Sequence, residues 1–168
     1  MTVTTWAIRN AYAGQTNIGS VDSAENQANP VGTIVVGDHP TYQAGEFIYL
    51  KGAANVAAGD VVTYDTYNNT TTRWDGTANT GKPLAVAVAA TVAGQYGWFQ
   101  ISGATVVNVS GTVAAGDLAY FASTATVKTA QVNGKQVLGC YAVAASGTPA
   151  TGQAVYQLQR PIVQSQTV

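Results

Sequence analysis

The stretch Val56-Ala57-Ala58-Gly59-Asp60 returns letter for letter as Val113-Ala114-Ala115-Gly116-Asp117, 57 residues further on (56 to 113). Three more landmarks recur in the same order after steps of similar size: Gly81-Lys82 as Gly134-Lys135, Val88-Ala89-Ala90 as Val143-Ala144-Ala145, and Gly94-Gln95 as Gly152-Gln153. Ordered matches of this kind point to two copies of one unit, at about residues 53–103 and 110–159. In each copy the Gly-Asp pair reads as a turn, Gly supplying a positive φ and Asp bonding nearby backbone.

An alternating run follows each turn, Val61-Val62-Thr63-Tyr64-Asp65 in one copy and Leu118-Ala119-Tyr120-Phe121-Ala122 in the other. A polar loop then ends at Gly-Lys, a small-residue apolar run comes next, and a Gly-led segment closes the unit. Residues 85–93 are rich in Ala, which favours helix, but Pro83 precedes the run and Val alternates through it, so a strand is expected. Short runs rich in Val, Thr and Tyr, punctuated by Gly, predict an all-β fold, a compact sandwich or barrel built from an internal duplication. The expected domain spans residues 31–160, with an extended N-terminal arm over 1–30 and a short C-terminal tail over 161–168.

Composition narrows the functional classes. Only 9% of the 168 residues are charged, 7 Lys and Arg against 8 Asp and Glu, for a net charge of −1. No basic cluster offers a footprint for nucleic acid or anionic lipid, so neither is expected as a partner. The longest apolar stretch, residues 84–90, is far short of a membrane-spanning helix, and the first ten residues lack the pattern of a secretory signal, so synthesis in the cytoplasm is expected. A lone cysteine, Cys140, and a lone histidine, His39, give neither a disulfide nor a zinc ligand set. No cofactor or metal is expected.

Gly76 to Lys82 has the spacing of a phosphate-binding loop, but Pro83 stands where that loop needs Ser or Thr, so a hairpin loop is preferred. His39, within Gly37-Asp38-His39-Pro40, reads as a turn histidine, and Cys140 as a buried, inert thiol. Asp60 and Asp117 occupy equivalent turns, which favours backbone bonding over a catalytic carboxylate pair. Asp65, Asn68, Asn69 and Asp75 match no standard calcium loop. Tyr64, Tyr67 and Trp74 are taken as exposed aromatics able to stack on a sugar or to serve packing. No catalytic residue is assigned, and the protein is expected not to be an enzyme.

The ends carry isolated large groups in polar surroundings. Trp6, Ile8, Arg9 and Tyr12 in the arm, with Ile162 and Val163 in the tail, are the candidate partner-interface residues; the alternative is that both ends pack on their own domain. Gly59, Asp60, Gly116 and Asp117 are assigned as structural turn residues.

Taken together, the doubled Ala-Ala-Gly-Asp turn with its following strand, then Gly-Lys, an Ala-rich strand and a Gly-led final strand, resembles the small capsid decoration or cement proteins of tailed bacteriophages. The resemblance covers about residues 31–159. It implies a β-rich virion protein on the outer face of an icosahedral head, binding the major capsid protein, self-associating as a dimer or trimer, and stabilising the shell. It brings no catalytic residues. The alternative expectation is a carbohydrate- or receptor-binding β module of a virion fibre or cell surface.

Overall fold

A computed structural model of the chain describes residues 6–8, 17–78, 80–122 and 125–165. Among them there is no helix, and twelve strands join one curled antiparallel sheet. The all-β expectation holds.

The chain enters through β1 (Ala7–Ile8), β2 (Val21–Asp22), and the hairpin of β3 (Ile34–His39) and β4 (Gln43–Lys51). Then come β5 (Val61–Asp65), β6 (Thr70–Arg73), β7 (Leu84–Ala87) and the long β8 (Tyr96–Asn108). The last four are β9 (Leu118–Phe121), β10 (Val127–Lys128), β11 (Gln136–Ala142) and β12 (Gln153–Val163). Strand β8 is the spine. Along one edge of its first half lies β4, while β2, β7 and β12 succeed one another along the other edge.

Pairing order repeats in the two units that join β8 along that edge. β5 pairs with β6 and β7, and β7 with β8; likewise β9 pairs with β10 and β11, and β11 with β12. The two Gly-Asp turns also match bond for bond. Gly59 N–H donates to Ala87 O and Gly116 N–H to Ala142 O, each at 2.8 Å. Ala87 N–H and Ala142 N–H return bonds to Asp60 O and Asp117 O, each at 2.9 Å. The Asp carboxylates accept from Ala57 N–H (3.1 Å) and Ala114 N–H (2.8 Å). Gly59 and Gly116 have φ of 83° and 91°, a left-handed conformation that explains the glycines.

Each four-strand unit has two faces. The inward face of β5, β7 and β8 (Val62, Ala85, Ala87, Phe99, Ile101) packs with Ile48 and Leu50 of β4. The outward face of the same strands (Val61, Leu84, Val86) is covered by the second unit, in one core with Ala119, Phe121, Cys140, Ala142, Tyr156 and Leu158. A third cluster, Ile18, Phe47, Tyr49, Tyr96 and Trp98, sits beneath the N-terminal segment.

The ends depart from the expected boundaries. Residues 17–30 are part of the body: Ile18 is buried, Val21 and Asp22 pair with Gly97 and Tyr96, and Tyr49 Oη donates to the Asp22 carboxylate. Enough apolar surface on Phe47, Tyr49 and Trp98 awaits this segment to hold it down. Residues 161–163 belong to β12. Val163 is fully buried, pairs with Val137, and donates its N–H to Lys82 O at 3.0 Å.

Candidate functional site: two exposed apolar faces and an aromatic groove

Strand parity sets which side chains reach the surface. Along β11 and β9 the residues Val137, Cys140, Ala142, Ala119 and Phe121 point into the core. The alternate residues Leu138, Tyr141, Leu118 and Tyr120 must then point outward. Cross-strand register sets them in rows: Leu138 faces Ile162, Leu118 faces Tyr141, which in turn faces Gln157, and Tyr120 faces Gln136. Leu118, Leu138, Tyr141 and Ile162 are 40–50% exposed. The rows of Leu138 and Tyr141 carry no carboxylate and no basic side chain, while Lys128 of β10 stands opposite Tyr120. A bulge at Gly139 keeps Leu138 and Tyr141 on one side, three residues apart though they are.

A second, smaller apolar face lies on β3, on the other side of β8 in the strand order. Ile34 and Val36 are exposed there, while Val35 between them turns inward against the cluster of Phe47 and Tyr49. Beside this hairpin Trp6 packs edge-on to Phe47 at 4.7 Å and stacks on Tyr42, and His39 stacks on Tyr42 at 4.6 Å. Trp6, His39 and Tyr42 border a groove of about 370 Å³ also lined by Val88, Thr105 and Gln153.

The sequence-derived candidates therefore separate. Trp6 rests on its own β3–β4 hairpin, and Ile8 pairs through its backbone with Gly37; Arg9 and Tyr12 lie outside the described residues. Ile162 lies in the exposed face, whereas Val163, expected at an interface, is a core residue because strand alternation turns it inward. Gly59, Asp60, Gly116 and Asp117 occupy the turns assigned to them. Asp60 does more than its counterpart. Buried, it also accepts from Arg73 Nε at 2.8 Å and Asn108 Nδ2 at 2.9 Å.

The remaining motifs find structural partners. His39 Nδ1 accepts from Thr41 N–H (3.0 Å) and Tyr42 N–H (3.3 Å), closing the turn between β3 and β4. The loop ending at Lys82 leads into a strand where a phosphate loop requires a helix. Asp65 accepts from Tyr67 N–H, Asn68 N–H and Asn68 Nδ2, bonds that hold its carboxyl below the usual range. Asp75 is lowered in the same way by Thr77. Trp74, expected exposed, is buried and stacks on Phe121 at 4.2 Å. Tyr67 is open to solvent, at the tip of the β5–β6 hairpin.

Sequence reasoning missed the face on β9, β11 and β12. Leu118, Leu138 and Tyr141 have the same pattern as Val61 and Val86, and only the fold decides which set is covered. No family model matches the chain, and no curated protein matches it.

Proposed function

We propose that this protein is a structural bridge in a protein shell, and that the shell is the head of a tailed bacteriophage, with the chain on its outer face against the major capsid protein. One observation supports this reading above the others: two largely apolar faces, on β3 and on β9, β11 and β12, lie on opposite sides of β8 in the strand order, with Glu46 (paired with Arg160) beside Val36 and Lys128 beside Tyr120 as their charges. A bridge needs two contact surfaces on one stiff body, and largely apolar faces with few charges dock at little charge-desolvation cost. Each copy that spans two neighbours adds its binding free energy to keeping them together, and repetition over a shell multiplies the effect.

Copy counting by mass spectrometry on purified virions that encode the chain tests this. Hundreds of copies per particle, removable from the head without loss of the major shell protein, are expected. A handful of copies at the tail tip, or none, overturns the proposal.

The aromatic groove supports a second reading, a carbohydrate- or receptor-binding module. Stacked rings beside polar side chains suit a sugar, whose apolar face lies on a ring while its hydroxyls reach Thr105 and Gln153. Glycan-array binding that is lost in Tyr42→Ala is the expected result for this reading, and an array with no signal removes it.

A further inference from the structure

The outward face of the first unit and that of the second are the same surface in two environments. Val61 and Val86 face each other across β5 and β7, and Val86 faces Gln100 of β8; Leu118 and Tyr141 face each other across β9 and β11, and Tyr141 faces Gln157 of β12. In the first unit this row is closed over, with Val61 4% and Val86 3% exposed and Gln100 fully buried. In the second, Leu118 is 50% and Tyr141 43% exposed. We infer that the outward face of β9, β11 and β12 is a self-pairing surface, covered in solution by the same face of a second copy of this chain around a two-fold axis.

Two observations choose the second copy as occupant. The surface that closes the first row is the inward face of the second unit, and that face is already filled in every copy by Val61, Leu84 and Val86. A head-to-tail continuation is thereby blocked, and face-to-face pairing is the arrangement a second copy has left. Charge agrees. A two-fold axis sets the groups beside it against their own equivalents, which penalises ions in the middle of the face. The central rows Leu138–Ile162 and Leu118–Tyr141–Gln157 carry none, Lys128 stands at the margin opposite Tyr120, and the chain's net charge of −1 adds little repulsion between copies. Arg160, at the rim, is turned to Glu46 of its own chain, Nε to Oε2 at 3.1 Å.

Area sets the strength. Three strands about 4.8 Å apart and roughly seven residues long present a face of about 300–400 Å² in projection. Two such faces with their rims fall at the low end of specific interfaces, below about 1,200 Å² in total, so a reversible dimer in the micromolar range is expected. Such a dimer leaves the β3 face of both copies outside the contact, which the bridging role requires. The inference does not depend on that role.

Sedimentation velocity on the full chain, from about 1 to about 200 µM, reads the association over the range such an interface supports. The expected result is a monomer–dimer equilibrium in the unmodified chain, weakened about tenfold or more by Tyr141→Lys and by Leu138→Lys, each with an unchanged circular dichroism spectrum. Val36→Lys, on the other face, is expected to leave it unchanged. A chain that stays monomeric throughout overturns the inference. So does an association that survives the double substitution Leu138→Lys and Tyr141→Lys, or one abolished by Val36→Lys alone. Virion copy counting is independent of these outcomes, so either proposal can fail alone.

Discussion

Asp60 and Asp117 show how two residues in the same turn come to carry different loads. Both carboxylates accept the backbone N–H three residues earlier, but Asp60 is buried and also holds Arg73 Nε and Asn108 Nδ2. Asp60→Ala strands both of those donors; it is expected to cost about 2–3 kcal/mol, because Arg73 keeps partial access to water and the penalty stays below that of a fully buried pair. Asp117→Ala loses one turn bond, worth about 1 kcal/mol. Urea denaturation of the two variants checks the difference, and equal losses would contradict the geometry. The turns themselves were legible in the sequence, since Gly-Asp after two alanines is a local signal. The partners of Asp60 were not, because Arg73 and Asn108 reach it only once β6 and β8 have docked. Cys140 was legible as an inert thiol: buried in the second core, its thiol is pushed up to about 12 from 9.0. Its folded value exceeds its unfolded value, so the thiol's contribution is whole below about pH 9 and is lost as pH rises towards 12. Tyr49 and Tyr156, also raised by burial, add losses that begin near pH 10. The urea midpoint is expected to fall through this alkaline window, less steeply in Cys140→Ala, and thiol reagents at neutral pH are expected to label the protein only as it unfolds.

At the scale of the element, β11 depends on one extra residue. Val137 and Cys140 both face the core although an odd spacing separates them, and the bulge at Gly139 absorbs the difference. Gly139 has φ +73°, and a Cβ there would stand 2.8 Å from Gln159 O of β12. Gly139→Ala therefore meets both a left-handed backbone and a backbone oxygen, and is expected to destabilise by about 2–3 kcal/mol. Urea denaturation of Gly139→Ala is the measurement that reads it. The sequence showed β11 as an apolar run but not this bulge, since a bulge is defined by the partner strand. Element lengths were similarly veiled. Tyr96 to Ser102 was legible as a strand, yet β8 continues to Asn108 because β12 pairs with Ser102 through Asn108, a contact 45 or more residues away in sequence. The hairpin of β3 and β4 was half seen: Gly45 with the run from Glu46 to Lys51 signals β4, whereas β3 carries Gly37 and Asp38, which depress strand propensity until β4 supplies six paired residues.

At the scale of the molecule, the question is whether two like units make two folding bodies or one. Sequence repetition suggests separable pieces, as in solenoids, where each repeat touches its neighbours through an interface of its own. Here the units share a core. Trp74 of the first unit stacks on Phe121 of the second, and Val61, Leu84 and Val86 lie in one cluster with Tyr156 and Leu158. The backbone is shared too: Val61 N–H donates to Ala125 O, Ala125 N–H donates to Trp74 O, and β8 pairs with both units along its length. Removing the second unit would expose the whole outward face of β5 and β7, several large apolar side chains at about 1.5–3 kcal/mol each, which is a large fraction of the stability of a domain this size. The chain is therefore expected to unfold in a single transition, with calorimetric and van't Hoff enthalpies equal and with tryptophan fluorescence and circular dichroism coincident. A fragment of residues 1–109 is expected not to hold the native fold alone. Two resolved transitions, or a well-folded fragment, would mean that the shared core contributes little, and that the exposed face on β9, β11 and β12 needs no cover either, since the same kind of face would then tolerate water in the first unit.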